Sequence, residues 1–458
     1  MSQPVMRPTL EYGRQFGRFQ RNARLYLINN ALSGVTAGIL LVLYNLYLVS
    51  LGYEANFVGF VLFAVTIGAG IAIFPAGICV DRFSGKAILI WSNLLIGLAG
   101  IGQILFRQPV PLLVSGFLEG AAFAFTLVIN APFLTLNSSP EERPHLFSMN
   151  ISLGLITLVL GEVLGGVLPF WLRSIHWLMA PLPAWVAPIL ASQSDPRSYQ
   201  LALLFAGVIA GPSLIPLFML QSNQKMPLPD NAGAKAFRGE DKPRPYPVRL
   251  RQSLRSRVGA GLVLALDVAG RRKAFLRSPF FFLMLVYIFT GLGAGLFIPY
   301  YNIYFVQHLK ASSALFGLID GGANALTALT TLAAPWLAAR IGRINTIALT
   351  RLLSIPLLLI VGLTGILPLA ALLYPFRQGV MDMSNGILQV FSMEVVPEKF
   401  RGLANSSYQV AYQVPWAITA SLGGLVIVQY DYPPIFLLGA FCYLLAIAVL
   451  WAKFQLTG

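Results

Sequence analysis

The sequence is poor in the residues that build disulfides, metal sites and soluble surfaces. Its 458 residues contain two cysteines, three histidines and 11% charged residues, whereas a typical soluble domain has about 25% charged residues. Cys79 and Cys442 lie in or beside apolar runs, where a small buried side chain is more common than a disulfide or metal ligand. The sequence contains no CxxC or HExxH motif. These absences argue against a soluble domain, a disulfide framework and a metalloenzyme, and no cofactor is expected.

Long apolar runs account for most of the chain. Hydrophobic residues make up 57% of it, and the mean hydropathy is +0.72. A helix needs roughly 17–25 residues to cross the hydrocarbon core of a membrane. Runs of this length lie at 26–50, 57–79, 87–106, 109–135, 147–171, 200–220, 280–305, 314–338, 345–367, 368–392, 405–429 and 433–452. The pattern predicts an all-α membrane protein with twelve transmembrane helices, and the proline-broken stretch 176–191 is expected to be an interfacial or extramembrane loop.

The positive charges are unevenly distributed among the predicted loops. With the N-terminus inside, 27 of the 32 Lys and Arg residues fall on the cytoplasmic side, including Arg351 at the inner end of its span. Four lie outside, and Arg377 lies within a span. Because cytoplasmic loops are enriched in Lys and Arg, this bias predicts that both termini are cytoplasmic. Contact with anionic lipid headgroups explains the net charge of +15, without nucleic acid as a partner.

Four segments follow from this topology. Residues 1–25 are predicted to be a basic cytoplasmic N-terminus rather than a cleavable signal, since they carry five arginines and precede a full-length span. Residues 26–220 and 280–458 are predicted to form two six-helix bundles, joined by a cytoplasmic linker at 221–279. Within 248–275 of this linker, apolar residues recur among arginines and predict a basic amphipathic helix on the inner leaflet. A calmodulin-target type of helix is the alternative.

The two predicted bundles repeat each other in sequence. The segment Tyr44-Asn45-Leu46-Tyr47 returns 257 positions later as Tyr301-Asn302-Ile303-Tyr304. Arg82 and Arg143 have counterparts 258 positions later in Arg340 and Arg401. Such self-similarity at a fixed offset indicates an internal duplication, and parallel repeats of six spans are a known transporter plan.

A short polar motif follows the second predicted span. The segment 77–86 reads Gly-Ile-Cys-Val-Asp-Arg-Phe-Ser-Gly-Lys. It resembles the signature Gly-x-x-x-Asp-Arg-x-Gly-Arg-Lys of the major facilitator superfamily, with Ser84 and Gly85 as departures. In the second copy Ala339 replaces the aspartate, while Gly342 and Arg343 keep the pattern. The chain thus resembles this family over essentially its whole length, and bacterial twelve-span drug and metabolite exporters most of all.

The resemblance implies a cytoplasmic gate in which the carboxylate of this motif holds one conformation closed. A plain solvated turn that obeys the positive-inside rule is the alternative interpretation. The predicted gating residues are Gly77, Asp81, Arg82, Lys86, Arg143, Arg340, Gly342, Arg343 and Arg401.

Two ionisable residues occupy equivalent positions deep in the fourth and tenth predicted spans. Glu119 and Arg377 are 258 positions apart, and each lies roughly 14–15 Å from the outer end of its span. Ionisable groups at this depth are costly and usually functional. The resemblance implies that spans 1, 4, 7 and 10 line a central cavity, so Glu119 and Arg377 are expected to face each other there, with Asp382 nearby. A fixed structural ion pair is the alternative.

Two further acids are candidates for proton coupling. Glu162 stands in Gly161-Glu162-Val163-Leu164-Gly165-Gly166, which partly resembles the family's fifth-span antiporter motif, Gly-Pro-x-x-Gly-Gly. The resemblance implies that span 5 contacts span 8, which carries Asp320. Two acids close together in a low dielectric tend to share a proton. A water-exposed carboxylate near the outer funnel is the alternative.

The repeated tyrosines and asparagines are candidates for binding an amphipathic molecule, because aromatic faces and amide groups suit such a ligand. Hydrogen bonds between helices, retained from the duplication, are the alternative. The residues are Tyr44, Asn45, Tyr47, Tyr301, Asn302 and Tyr304.

These features predict a secondary active transporter that works by alternating access. The sequence has no Gly-x-x-x-x-Gly-Lys-Ser/Thr loop, so neither ATP-driven transport nor an enzyme is expected. Proton coupling and export of amphipathic, drug-like compounds are favoured. Uptake of an organic anion, sugar or phosphate ester is one alternative, and a non-transporting receptor or lipid flippase or scramblase is another. We expect a monomer in the bacterial cytoplasmic membrane, with a small molecule, protons and lipids as partners.

Overall fold

The computed structural model describes residues 16–17, 19–139, 142–181, 183, 186, 189–221, 278–397 and 401–455, and every regular element in them is helical. The long helices are α1 (Arg21–Ser50), α2 (Ala55–Arg82), α3 (Gly85–Leu105), α4 (Pro109–Leu136), α5 (Arg143–Ser174), α6 (Ser194–Phe218), α7 (Pro279–Phe297), α8 (Ser313–Ile341), α9 (Arg343–Leu363), α10 (Leu367–Asp382), α11 (Arg401–Tyr430) and α12 (Pro433–Phe454). Shorter segments are His176–Met179, Asn385–Glu394 and the continuation of α7 through Ile298–Tyr300, Tyr301–Ile303 and the π-helix Tyr304–His308. The all-α prediction is confirmed.

Ten of the described helices, with α7 counted to His308, are long and apolar enough to cross a membrane. The predicted eighth and tenth spans are not among them. The 29-residue helix α8 carries Asp320, Asn324 and three threonines, whereas α10 ends after 16 residues. The helix over the predicted span 368–392 is interrupted between Asp382 and Asn385, so neither of its two parts is long enough alone to cross a membrane. The count of twelve spans and the cytoplasmic termini stay predictions.

Local sequence explains where several helices begin. Ser84 precedes α3, and its hydroxyl accepts a hydrogen bond from the Ala87 amide at 3.3 Å, which is an N-cap. Ser278 caps α7 in the same way through the Phe281 amide at 3.2 Å. Gly342, which is the counterpart of Ser84, precedes α9 with φ +85°, a conformation that side-chain-bearing residues rarely adopt. The same boundary is thus made by a side-chain cap in one copy and by backbone freedom in the other.

The chain divides into two compact units. The described residues of the first unit fall within Met1–Gly52, Ala64–Asp230 and Ser312–Gly321. Those of the second unit fall within Tyr53–Phe63, Asn231–Ala311 and Gly322–Gly458. The first unit thus includes the start of α8, and the second includes the start of α2.

In the first unit, α1 packs against α5 and α6, and α3 packs against α4 and α6. Glycines bring the backbones of α1 and α5 into contact. A Cβ added at Gly38 would lie 2.2 Å from the Leu158 carbonyl oxygen, and one at Gly161 would lie 2.2 Å from that of Val35. No larger side chain fits there, so these glycines determine where the two helices cross.

The second unit repeats the same pairings, with α7 against α11 and α12, and α9 against α10 and α12. Gly295, the counterpart of Gly38, lies where an added Cβ would be 2.2 Å from the Trp416 carbonyl oxygen. The sequence repeat therefore corresponds to a repeat of helix packing.

Several predictions from sequence fall outside the described residues. They include most of the N-terminal segment, the linker with its predicted amphipathic helix, and the side chains of Asp81 and Arg401.

Candidate functional site

In the first unit, the acid predicted for the cavity lies among neutral polar groups. Glu119 is half-buried on α4, and its carboxylate accepts a hydrogen bond from Nε2 of Gln103, which is buried on α3. Tyr44 on α1 lies close enough for Glu119 to act on it electrostatically. The Tyr44 hydroxyl is buried and has no hydrogen-bond partner among the described residues. The sequence did not single out Gln103, because a glutamine in an apolar helix carries no charge signal.

In the second unit, the equivalent position holds a fully buried cation. Arg377 on α10 is 3% exposed, and its guanidinium lies 4.9 Å from the ring centroid of Phe297, 5.9 Å from that of Tyr443 and 6.0 Å from that of Tyr301. Nη2 of Arg377 also donates to the Tyr443 hydroxyl at 3.4 Å. Aromatic faces stabilise a buried cation through their negative quadrupole. Arg377 therefore stays charged without a carboxylate in contact among the described residues of the second unit.

A second buried arginine accompanies Arg377. Arg351, which was expected at the inner end of its span, is the ninth residue of α9 and 3% exposed. Nη1 of Arg351 donates to Oγ1 of Thr290 at 3.1 Å, and Nη2 donates to Oδ1 of Asn385 at 3.2 Å. Because α9 begins at Arg343, Arg351 lies roughly 12 Å along the helix, and its depth in the membrane stays a prediction.

Asp382 connects the two arginines. It is half-buried at the end of α10, where its Oδ1 accepts a hydrogen bond at 3.0 Å from Nδ2 of the exposed Asn385. It acts electrostatically on both Arg351 and Arg377 without forming a direct ion pair with either in the described second unit. The structure therefore brings Arg377 and the predicted Asp382 together with Arg351 and Asn385. The predicted pairing of Glu119 with Arg377 joins different units and stays a prediction.

The repeated tyrosines Tyr47 and Tyr304 bind the backbone rather than leaving their hydroxyls available to a ligand. The Tyr47 hydroxyl donates to the Ile104 carbonyl at 2.7 Å, and the Tyr304 hydroxyl donates to the Val361 carbonyl at 2.7 Å. Both side chains are at most 1% exposed. Each ties the first helix of its unit to the end of the third, which supports the alternative interpretation of hydrogen bonds retained from the duplication. Binding of a ligand by the aromatic faces of Tyr47 and Tyr304 stays a prediction.

The repeated asparagines are also buried. Asn45 is 9% exposed and Asn302 is 4% exposed, and both make further polar interactions. Oδ1 of Asn302 accepts a hydrogen bond from the Ile303 amide at 2.8 Å. Tyr301 remains beside Arg377, so of the three residues Tyr301, Asn302 and Tyr304 it is the one placed at the buried charge.

The two proton-coupling candidates lie on helices whose backbones touch. Glu162 on α5 is 0% exposed, and Asp320 on α8 is 5% exposed, and each makes a polar or electrostatic interaction. A Cβ added at Gly317 on α8 would lie 2.5 Å from the Glu162 carbonyl oxygen. Oγ of Ser313 donates to the Gly166 carbonyl at 3.1 Å. The close helix contact expected from the glycines of the 161–166 motif is therefore present.

The predicted gating residues contact their own unit. Nζ of Lys86 donates to the carbonyls of Phe218 and Leu220 at 2.8 and 2.7 Å, which holds the end of α6 at the start of α3. In the second unit Arg343 pairs with Glu394, and the guanidinium of Arg340 lies 4.3 Å from the Trp336 ring. Arg82 is exposed, Arg143 is half-buried and no atom would approach a Cβ at Gly77 within 4 Å. Their role as a gate stays a prediction.

Within the described part of the chain, no group of three or more His, Cys, Asp or Glu side chains could hold a metal ion. Cys79 and Cys442 are both free and half-buried.

Known proteins share this architecture. The family model of the Major Facilitator Superfamily matches residues 26–291 and 283–457. The nucleoside transporter NupG has 16% identity and a TM-score of 0.63, covering 95% of this chain and 98% of its own. An occupied, inward-facing bacterial homologue of the human lysosomal transporter Spinster has 12% identity and a TM-score of 0.66, covering 94% and 96%.

A D-xylose–proton symporter has 14% identity and a TM-score of 0.64, covering 94% of this chain and 97% of its own. Identities this low show a shared fold and nothing finer. No curated protein matches the chain.

Proposed function

Because the chain belongs to the Major Facilitator Superfamily, we propose that it is a proton-coupled secondary transporter of amphipathic small molecules, working in the direction of export. The observation that supports this proposal is the environment of Glu119. Its carboxyl group lies inside a membrane-spanning helix, half-buried, and its hydrogen-bond partner within the first unit is the neutral Gln103 amide. A carboxyl group at such a depth can exchange a proton whenever water reaches it, which is what proton coupling requires.

Uptake of an organic anion, sugar or phosphate ester is a second candidate, favoured by the buried Arg351 and Arg377. The solved structures that share the fold include a nucleoside transporter and a D-xylose–proton symporter by name, and a shared fold does not fix the direction of transport. Direction therefore needs a transport measurement.

The test is solute accumulation in proteoliposomes across an imposed pH gradient, with tetraphenylphosphonium and phenyl phosphate as probes. We expect uphill movement of a probe that stops when an ionophore collapses the proton gradient. Movement opposite to the proton flux indicates export, and movement with it indicates uptake. Glu119→Gln should abolish uphill movement, whereas the matched control Glu54→Gln, at an exposed acid, should not.

Two outcomes would overturn the proposal. Accumulation that persists without a proton gradient rules out proton coupling. Failure to accumulate either probe, together with equilibration of a labelled lipid between the leaflets, would instead identify a scramblase.

A further inference from the structure

The second unit buries two positive charges without a direct salt bridge. Arg351 and Arg377 are each 3% exposed, and no carboxylate of the described second unit lies within 4.0 Å of either guanidinium. Asp382 acts on both from farther away. Two arginines and one half-buried carboxylate leave a net positive charge inside the unit. Buried charges in folded proteins are ordinarily paired, so within the described second unit this cluster lacks a second anion.

The hydrogen bonds of the two arginines are also incomplete. Two guanidinium groups offer ten N–H donors between them, and they make three hydrogen bonds within the described second unit, all to neutral acceptors on Thr290, Asn385 and Tyr443. Nε of each arginine is buried without a partner. Because buried donors are nearly always satisfied, the free donors indicate an acceptor with several oxygen atoms.

The surroundings of the cluster indicate which chemical groups a ligand would carry beside its oxyanion. Asn385, which hydrogen-bonds to both Arg351 and Asp382, is exposed, so the cluster has a polar edge at the surface of the described chain. Phe297, Tyr301 and Tyr443 surround Arg377 with aromatic rings. A guanidinium fork matches the paired oxygens of a carboxylate or phosphate, and aromatic rings favour an apolar group beside it.

We propose that Arg351 and Arg377 bind the oxyanion of the transported compound, a carboxylate or phosphate attached to an apolar or aromatic group. The inference rests on the proposed function, whose solute it specifies as an amphipathic anion. When no ligand is bound, Arg351 and Arg377 attract the carboxylate of Asp382. Asp382 therefore competes with the ligand for the two guanidinium groups. This competition gives the site a signature that a purely structural arginine pair lacks.

Binding of phenyl phosphate to the purified full-length protein tests the proposal, by calorimetry and by thermal stabilisation. We expect phenyl phosphate to bind and neutral benzyl alcohol and cationic benzylamine to bind at least tenfold more weakly. Arg351→Gln and Arg377→Gln should each weaken phenyl phosphate binding at least tenfold, which is about 1.4 kcal/mol. Asp382→Asn should strengthen it, because the competing carboxylate is removed.

The controls separate binding from folding. Arg351→Lys keeps the charge but loses the fork, so it should fold and bind with intermediate affinity. Arg173→Gln removes an arginine of the first unit that pairs with Asp195 at 3.3 Å, and it should bind like the wild type. Equal binding of phenyl phosphate by wild type, Arg377→Gln and Asp382→Asn would overturn the proposal, as would a preference for benzylamine.

A competition experiment with a lipid distinguishes the two sources of the oxyanion. If phosphatidylglycerol displaces phenyl phosphate from the wild type in neutral detergent, the site accepts a lipid headgroup, and if it does not, the ligand is a water-soluble anion. If proton-driven transport continues in Arg377→Gln with an unchanged preference between tetraphenylphosphonium and phenyl phosphate, this inference fails. The proposed function then still stands.

Discussion

The two units place opposite charges at the same position of the repeat. Glu119 in the first unit is half-buried and accepts a hydrogen bond from Gln103, whereas Arg377 in the second unit is fully buried among aromatic rings beside Arg351. The carboxyl group is partly exposed and accepts a hydrogen bond from a neutral amide, which suits proton exchange. The guanidinium has fixed aromatic walls and free donors, which suits anion binding. The duplicated frame therefore carries two different chemistries.

The frame itself has changed little between the copies. Tyr47 and Tyr304 make the same hydrogen bond to the end of the third helix of each unit, and Gly38 and Gly295 make the same backbone contact. These tyrosines and glycines are the same in both copies, whereas Glu119 and Arg377 carry opposite charges. Three sets of substitutions test that comparison, beginning with the largest expected effect.

Gly38→Val and Gly295→Val should both prevent stable folding. Each added side chain would meet a carbonyl oxygen of the neighbouring helix, so the two backbones would have to separate. We expect a loss of about 3 kcal/mol or more in the free energy of unfolding, measured by thermal unfolding in detergent. Gly97→Ala is the control, since nothing lies within 4 Å of its Cβ position. A loss of stability in only one of Gly38→Val and Gly295→Val would show that the two units do not pack equivalently.

Tyr47→Phe and Tyr304→Phe should each lower the free energy of unfolding by about 1–2 kcal/mol, because each removes a buried hydrogen bond to a backbone carbonyl. The loss in Tyr47→Phe should lie at the lower end, because the Ile104 carbonyl keeps a hydrogen bond from Nε2 of Gln200 at 3.1 Å. Tyr304 should have the larger effect, since its hydroxyl also reaches the Thr364 carbonyl at 3.1 Å. Tyr44→Phe is the matched control and should leave stability unchanged, because its hydroxyl has no partner in the described part of the chain. A loss in Tyr44→Phe as large as in Tyr304→Phe would argue against this assignment.

Ser84→Ala should have the smallest effect, a loss of about 1 kcal/mol from the missing N-cap of α3. Ser84→Gly should cost only a few tenths of a kcal/mol, because glycine is tolerated at N-caps and Gly342 begins the equivalent helix. Thermal unfolding of both variants beside the wild type provides the measurement. Equal losses would mean that the serine hydroxyl does not cap the helix.

Much of the candidate site was visible in the chain alone. The 258-residue offset equated Glu119 with Arg377, and the rarity of ionisable residues in apolar runs selected both. The assembly of the second unit's charges was not predictable. Arg351 looked like a cytoplasmic residue because it follows a basic turn, and the break after Asp382, which presents Asn385 to Arg351, lies inside an otherwise continuous apolar pattern.

By itself the sequence determined that this is a membrane protein, where its helices lie and that they are duplicated. The reason is that the free energy of transferring a residue into lipid depends mainly on that residue, and these free energies add along the chain. It also determined that charges lie within the spans. Only the tertiary structure decided which way each helix face points, since the backbone contacts at Gly38 and Gly295 depend on residues far away in sequence. The tertiary structure also buries the hydroxyls of Tyr47 and Tyr304 against the ends of α3 and α9. The packing of α9 against α10 brings Arg351 and Arg377 within electrostatic reach of Asp382.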